Sequence, residues 1–300
     1  MLYSGTAIFL YCLTTALGAV WISFSFTGLS GFTVTFFTLT IAFIIFSVIQ
    51  KLKCKNKNIY WLTFQFPYKI FELNILTLFS WLFAFLALYN IEASIECALF
   101  QGALPLGVLF CELFSKKTKI FSLRVLGVSL ITTSLFVLVI LRFNISNAAL
   151  NFTQEQIFAG ACFAFIGGIA AGFYAYRSSG LYTKSGCNTM DILCNRFFLL
   201  MIITGIISSQ EIVSIFSGEL EISSKLVVLS LISVVIPVFA LQYAIEKIGP
   251  ARVSIITPSI PIIALAIEHF TAGWNSILIP ISIGITCLCL ILANLWMKRS

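Results

Sequence analysis

The chain of 300 residues is 60% hydrophobic and only 10% charged, with a mean hydropathy of +1.05. A water-soluble domain carries about 25% charged residues, and a chain this apolar cannot cover a soluble surface with polar groups. The composition therefore excludes a soluble globular protein. The net charge of +7 does not point to nucleic acid, which needs a charged face on a folded domain, because Lys and Arg sit in short stretches between apolar runs.

In chain order, apolar runs occur at about 5–26, 32–50, 70–89, 93–113, 122–141, 157–176, 189–208, 225–244, 252–270 and 277–296. A crossing of the hydrocarbon core takes about 20 apolar residues. In lipid each backbone group must be satisfied within its own segment, so these runs read as helices rather than as the alternating strands of a barrel. The expected fold is an all-α integral membrane protein of about ten transmembrane helices. The start, Met1 to Ala7, has no Lys or Arg and no basic n-region, so the first run reads as a retained helix.

Lys and Arg give an orientation. Lys51, Lys53, Lys55, Lys57 and Lys69 lie between the second and third runs, and Lys116, Lys117, Lys119 and Arg124 between the fourth and fifth. Arg177 and Lys184 follow the sixth run, Lys247 and Arg252 precede the ninth, and Lys298 and Arg299 end the chain. With ten crossings all of these fall on one side and only Arg142 and Lys225 on the other, while Arg196 lies inside a run. By the positive-inside rule both termini are cytoplasmic and the protein is a multi-pass protein of the cytoplasmic membrane. The nine cysteines show no metal-ligand spacing and no outward pairing, and read as small apolar helix residues. No cofactor is expected.

The chain also reads as a duplication, with residues 1–146 as the first repeat and 147–300 as the second. Ala87-Leu88-Tyr89-Asn90-Ile91-Glu92 leads into one run and Ala240-Leu241-Gln242-Tyr243-Ala244-Ile245-Glu246 into another. Pro105 precedes Glu112 by seven residues, and Pro261 precedes Glu268 by seven. Five helices per repeat is an odd number, so the second copy enters the membrane from the opposite face. Inverted repeats place a solute site at their interface near the midplane.

At these residues the sequence resembles the EamA branch of the drug/metabolite transporter superfamily. The segment from Phe239 through Gly249-Pro250-Ala251-Arg252, continuing into Thr257-Pro258, Pro261 and Glu268, carries the resemblance most fully. Glu92-Ala93-Ser94, Pro105 and Glu112 carry it more loosely in the first half. The resemblance implies ten helices around a central cavity and alternating access. It also implies an Arg in the second and seventh helices: Arg196 occupies the latter place, and Thr38 stands in the former.

Charged groups inside a span are costly, about 2.5–3.5 kcal/mol on insertion scales, and tend to face a cavity. Arg196 is therefore the first substrate-binding candidate, as a fork for a carboxylate or phosphate. Gln101, Trp21, Tyr174 and Tyr243 are further lining candidates, and Glu96, Arg252 and Ser254 lie on the same runs. Glu112 and Glu268, each two turns beyond a proline that frees backbone carbonyls, are candidates for proton coupling or gating together with Pro105 and Pro261. Gly167-Gly168, Ala170-Ala171 and Gly172 allow close helix approach.

The expected function is secondary transport of a small organic metabolite by alternating access, with export of amino acids or related metabolites as the first class and protons as a coupling ion. The alternative carrier takes up or exchanges a nucleoside-type metabolite such as S-adenosylmethionine. A membrane scaffold or channel is the non-carrier alternative. An intramembrane enzyme is disfavoured, because the chain has a single histidine and no paired acid–base motif. The expected partners are the small-molecule substrate and the lipid bilayer, with no nucleic acid, and the state is a monomer or homodimer.

Overall fold

A computed structural model describes residues 2–26, 28–53, 58–115, 123–145, 152–218, 220–248, 253, 256–272 and 276–299. In chain order the helices are α1 (Leu2–Ser25), α2 (Gly31–Lys53), α3 (Trp61–Gln65), α4 (Pro67–Leu88), α5 (Ala93–Phe114), α6 (Leu123–Asn144) and α7 (Gln154–Ser185). They continue as α8 (Thr189–Leu193), α9 (Phe198–Ile207), α10 (Ser209–Gly218) and α11 (Leu220–Ser230), a π-helical turn over Leu231–Val235, then α12 (Ile236–Ile248), α13 (Ser259–Ala272) and α14 (Leu278–Arg299). The described residues contain no strand.

Eight stretches are long and apolar enough to cross a membrane: Gly5–Ser25, Gly31–Lys53, Pro67–Leu88, Ala93–Phe114, Leu123–Asn144, Gln154–Ser185, Thr189–Ile207 and Ile222–Ile248. Two shorter apolar helices, Ser259–Thr271 and Leu278–Ala293, follow. Large apolar side chains such as Phe9, Phe136, Ile140 and Ile206 point outward, which suits a hydrocarbon solvent. Many hydroxyls bond back to the preceding turn: Thr35 donates to the Gly31 carbonyl, Thr38 to Val34, Thr132 to Val128 and Thr204 to Leu200. Such back-bonding satisfies a polar group within its own helix.

Three stretches differ from the sequence expectation. The run at 157–176 is longer, and Arg177 and Lys184 lie on its last turns. It starts at a Thr153–Gln156 capping box and ends at Gly186, whose φ of 64° is the left-handed stop that glycine favours. The loop expected at about 209–224 contains α10 and the start of α11. The run at 189–208 is broken, as described below. The π turn has a local cause: Pro237 has no N–H for the carbonyl four residues back and its ring would press on that turn, so the Ile236 N–H bonds Leu231 instead.

The closest helix contact joins α5 and α7, as the small residues of α7 predict. A Cβ at Gly107 would lie 2.1 Å from the Ile169 carbonyl oxygen, and one at Gly172 the same distance from that of Leu104. Backbone meets backbone, and no rotamer change makes room. We therefore expect Gly172→Val to lower the melting temperature sharply, because overpacking typically costs 1–3 kcal/mol and occasionally more. Gly180→Val, on the same helix with open space around it, serves as the control.

Glu211 on α10 holds the N-terminus of α2. Its Oε2 accepts the Ser30 N–H at 3.2 Å, the Ser30 hydroxyl at 2.9 Å and the Thr33 hydroxyl. Partial burial pushes its carboxyl up, but the Thr33 and Ser30 donors outweigh this and hold it below the usual carboxylate range. A carboxylate with a depressed folded pKa contributes stability that is complete above its unfolded pKa and is lost as pH falls through the folded one. Melting curves from neutral to acid pH should show this loss, and Glu211→Gln should flatten that part of the profile.

Candidate functional site

A cavity of about 850 Å³ opens between the helices. On α5 it is lined by Glu96, Cys97, Gln101, Pro105, Val108 and Glu112, a stripe at helical spacing that covers about 24 Å at 1.5 Å per residue. Lys69, Arg124, Arg177 and Lys184, which come from three separate chain segments, stand at one end. The sequence reading places all four on the same side of the membrane. Tyr11, Leu88 and Glu96 lie toward the other end.

Arg196 faces this cavity and is 5% exposed. It lies in a break of the expected span, between the ends of α8 and α9, and not within a continuous helix. Two buried asparagines support the break. Asn74 on α4 donates to the Asn195 carbonyl at 2.8 Å and accepts the Leu199 N–H at 3.2 Å. The Asn195 amide bonds the Ile59 and Asp191 carbonyls, and its oxygen accepts the Thr63 hydroxyl. These bonds satisfy backbone groups that a helix break leaves open. Asp191 in turn forms a capping box with Asn188 and accepts Gln50 at 2.8 Å and the Trp61 indole at 3.0 Å.

The Arg196 guanidinium stacks 3.9 Å from the centre of the Tyr174 ring and 5.1 Å from that of Phe197. Its Nε is buried without a hydrogen-bond partner, and no carboxylate among the described residues forms an ion pair with it. Tyr174 is fixed from behind: its hydroxyl donates to Gln242 at 3.1 Å, and Gln242 donates to the Tyr182 hydroxyl at 2.6 Å. A buried cation held by an aromatic face with a donor unused is equipped to bind an anion.

Gln101 lines the cavity with its carbonyl oxygen unpartnered. Trp21 does not line it, but packs against Phe26 and the apolar core. Tyr243 likewise points elsewhere, stacked on Phe239 and beneath Lys247, while its neighbour Gln242 reaches Tyr174. One residue is a turn of about 100° on a helix, and sequence alone does not fix that phase. Thr38 is fully buried and its carbonyl accepts Ser230. Arg252 and Ser254 lie outside the described residues.

The two glutamates occupy different settings. Glu112 sits at the cavity mouth, 2.5 Å from Arg124. Glu268 does not line the cavity; it is 2% exposed and accepts the Ser94 N–H at 3.1 Å, at the N-terminus of α5, where a negative charge is favoured. Pro105 lies inside α5 and lines the cavity. Pro261 stands in the first turn of α13, where its missing N–H costs no helix bond, so it frees no carbonyl beside Glu268. The buried Glu92–Arg142 pair was missed as a pair: Nη2 to Oε1 is 2.7 Å and Nε to Oε2 2.8 Å.

No protein-family model and no curated protein matches this chain. Solved structures do match. One, described only as "Crystal structure of protein", superposes with a TM-score of 0.58 over 99% of this chain and 95% of its own, at 15% identity. That likeness concerns the fold.

Proposed function

We propose that this chain, a helical protein with multiple apolar spans, is a secondary carrier of a small organic metabolite in the cytoplasmic membrane, with its residues arranged as ten crossings in two inverted halves. The single observation that carries this reading is the cavity: a space for a metabolite-sized solute, lined within the bundle by a buried guanidinium that has no ion pair among the described residues. The repeat-matched glutamates support the inversion. Glu112 stands at one end of α5 and Glu268 touches the other, about 27 Å away at 1.5 Å per residue. In this reading the mouth lined by Lys69, Arg124, Arg177 and Lys184 faces the cytoplasm, and the cargo carries an anionic group for Arg196. An amino acid or related metabolite has such a group, as does a nucleoside-type metabolite with a carboxylate.

The sequence has no Gly-rich phosphate loop ending in Lys-Ser or Lys-Thr, so the reading takes its energy from a gradient or from exchange. Counterflow in proteoliposomes tests it. Vesicles preloaded with a metabolite extract should take up labelled amino acids or S-adenosylmethionine faster than empty vesicles, with saturation. Flux that neither saturates nor responds to preloading would favour a channel. Reporter tags at residues 54, 117, 182 and 249 should all report the cytoplasm; tags that alternate between sides would remove the inverted arrangement.

A further inference from the structure

The cavity holds a second ionisable group without an ion partner among the described residues. Glu96 on the first turn of α5 lines it, is 5% exposed, and forms no ion pair with any described Lys or Arg. Gln101, five residues further along α5, brings its unpartnered carbonyl oxygen to the same end. A carboxyl group without an ion partner among the described residues and an amide oxygen without a donor therefore line the deep end, while a guanidinium with a spare donor lines the middle. An ionised group buried without a partner is expensive, and the cavity offers both groups the same occupant.

Their spacing follows from the α5–α7 contact. A Cβ on Gly168 would meet Phe100, and one on Gly172 would meet Leu104, so the two helices run parallel and in step. Glu96 lies one turn before Phe100 and so sits level with Ala164. Tyr174, which carries Arg196 on its face, is then about 15 Å further along the axis. The reach of the two side chains shortens the gap, but not to that between the amine and carboxylate on one amino-acid carbon.

On the carrier reading above, we infer that the cavity selects an extended amphoteric solute, with an anionic group bound by Arg196 and a cationic group at its far end bound by Glu96 and Gln101. An amino acid with a basic side chain has this shape, with its carboxylate toward Arg196 and its terminal cation toward Glu96. A dicarboxylate of the same length presents an anion to Glu96, and a diamine presents a cation to Arg196.

Melting of the purified full-length protein with L-lysine, L-arginine, adipate and 1,5-diaminopentane tests this, because ligands that bind the folded state raise the melting temperature. Lysine and arginine should act at lower concentration than the other two. Glu96→Gln should weaken lysine about tenfold and strengthen adipate by a similar factor, and Arg196→Gln should weaken lysine and strengthen 1,5-diaminopentane, as removal of a like charge requires. Glu96→Asp, which keeps the charge, should keep the preference for lysine over adipate and guards against a variant that fails to fold. The assignment is overturned if no probe raises the melting temperature, or if Glu96→Gln shifts lysine and adipate in the same direction. Charge-dependent binding without counterflow would remove the carrier reading and leave this assignment standing. Counterflow that ranks the four probes identically in wild type and Glu96→Gln would do the reverse.

Discussion

Arg196→Gln is expected to reduce transport of an anionic cargo by roughly 10- to 150-fold without lowering the melting temperature. The size follows from losing one charged hydrogen-bonding group, worth about 1.5–3 kcal/mol. The preserved stability follows from the setting. The guanidinium is buried, has no carboxylate partner among the described residues and leaves its Nε unbonded, so removing its charge relieves a desolvation penalty. Arg196→Lys should recover little, because an ammonium neither stacks flat on Tyr174 nor presents a planar fork. Initial counterflow rates over a range of cargo concentrations, measured beside melting curves, separate the two effects. A collapse of the fold with unchanged flux per folded molecule would make Arg196 a packing group.

Breaking the Glu92–Arg142 pair should have the opposite signature. Both side chains are almost fully buried, and the guanidinium bonds both carboxylate oxygens and also the Ile145 carbonyl. Removal of one partner strands a buried charge, which typically costs 3–5 kcal/mol. Arg142→Met or Glu92→Leu alone should therefore lower the melting temperature steeply. The double variant should regain most of the loss, because apolar replacement of a whole buried pair is often neutral. Detergent-solubilised melts of the four proteins form the cycle; additive losses would mean that the pair contributes no coupling.

The apolar runs were legible because the bilayer imposes a length and a composition, and each of the ten has a helical counterpart in the structure. The breakdown of the run at 189–208 was not legible. Met190, Ile192, Leu193 and Cys194 read as continuous helix, with no Gly or Pro to mark a stop. The break depends on Asn74, more than a hundred residues away, and on the Asn195 amide folding back on its own chain. Arg196 was visible as a charge in an apolar run, but its ring partner was not. Tyr174 was one aromatic among many until α7 and the break came together. Glu268 shows the converse: its spacing from Pro261 matched that of the Glu112 pair, yet the proline falls where a helix begins, and the spacing carried no backbone chemistry there.

The glycine seam between α5 and α7 has a consequence for any rearrangement that exposes the opposite mouth. Two crossings whose main chains touch at Gly107 and Gly172 leave no side-chain cushion to slide on. They travel as a single plank, with the Glu96–Glu112 stripe on one member and Tyr174 on the other. The give of a carrier must then lie where this plank meets its neighbours, among them the α8–α9 break that bears Arg196, while the spacing of Glu96 and the Tyr174 ring stays fixed.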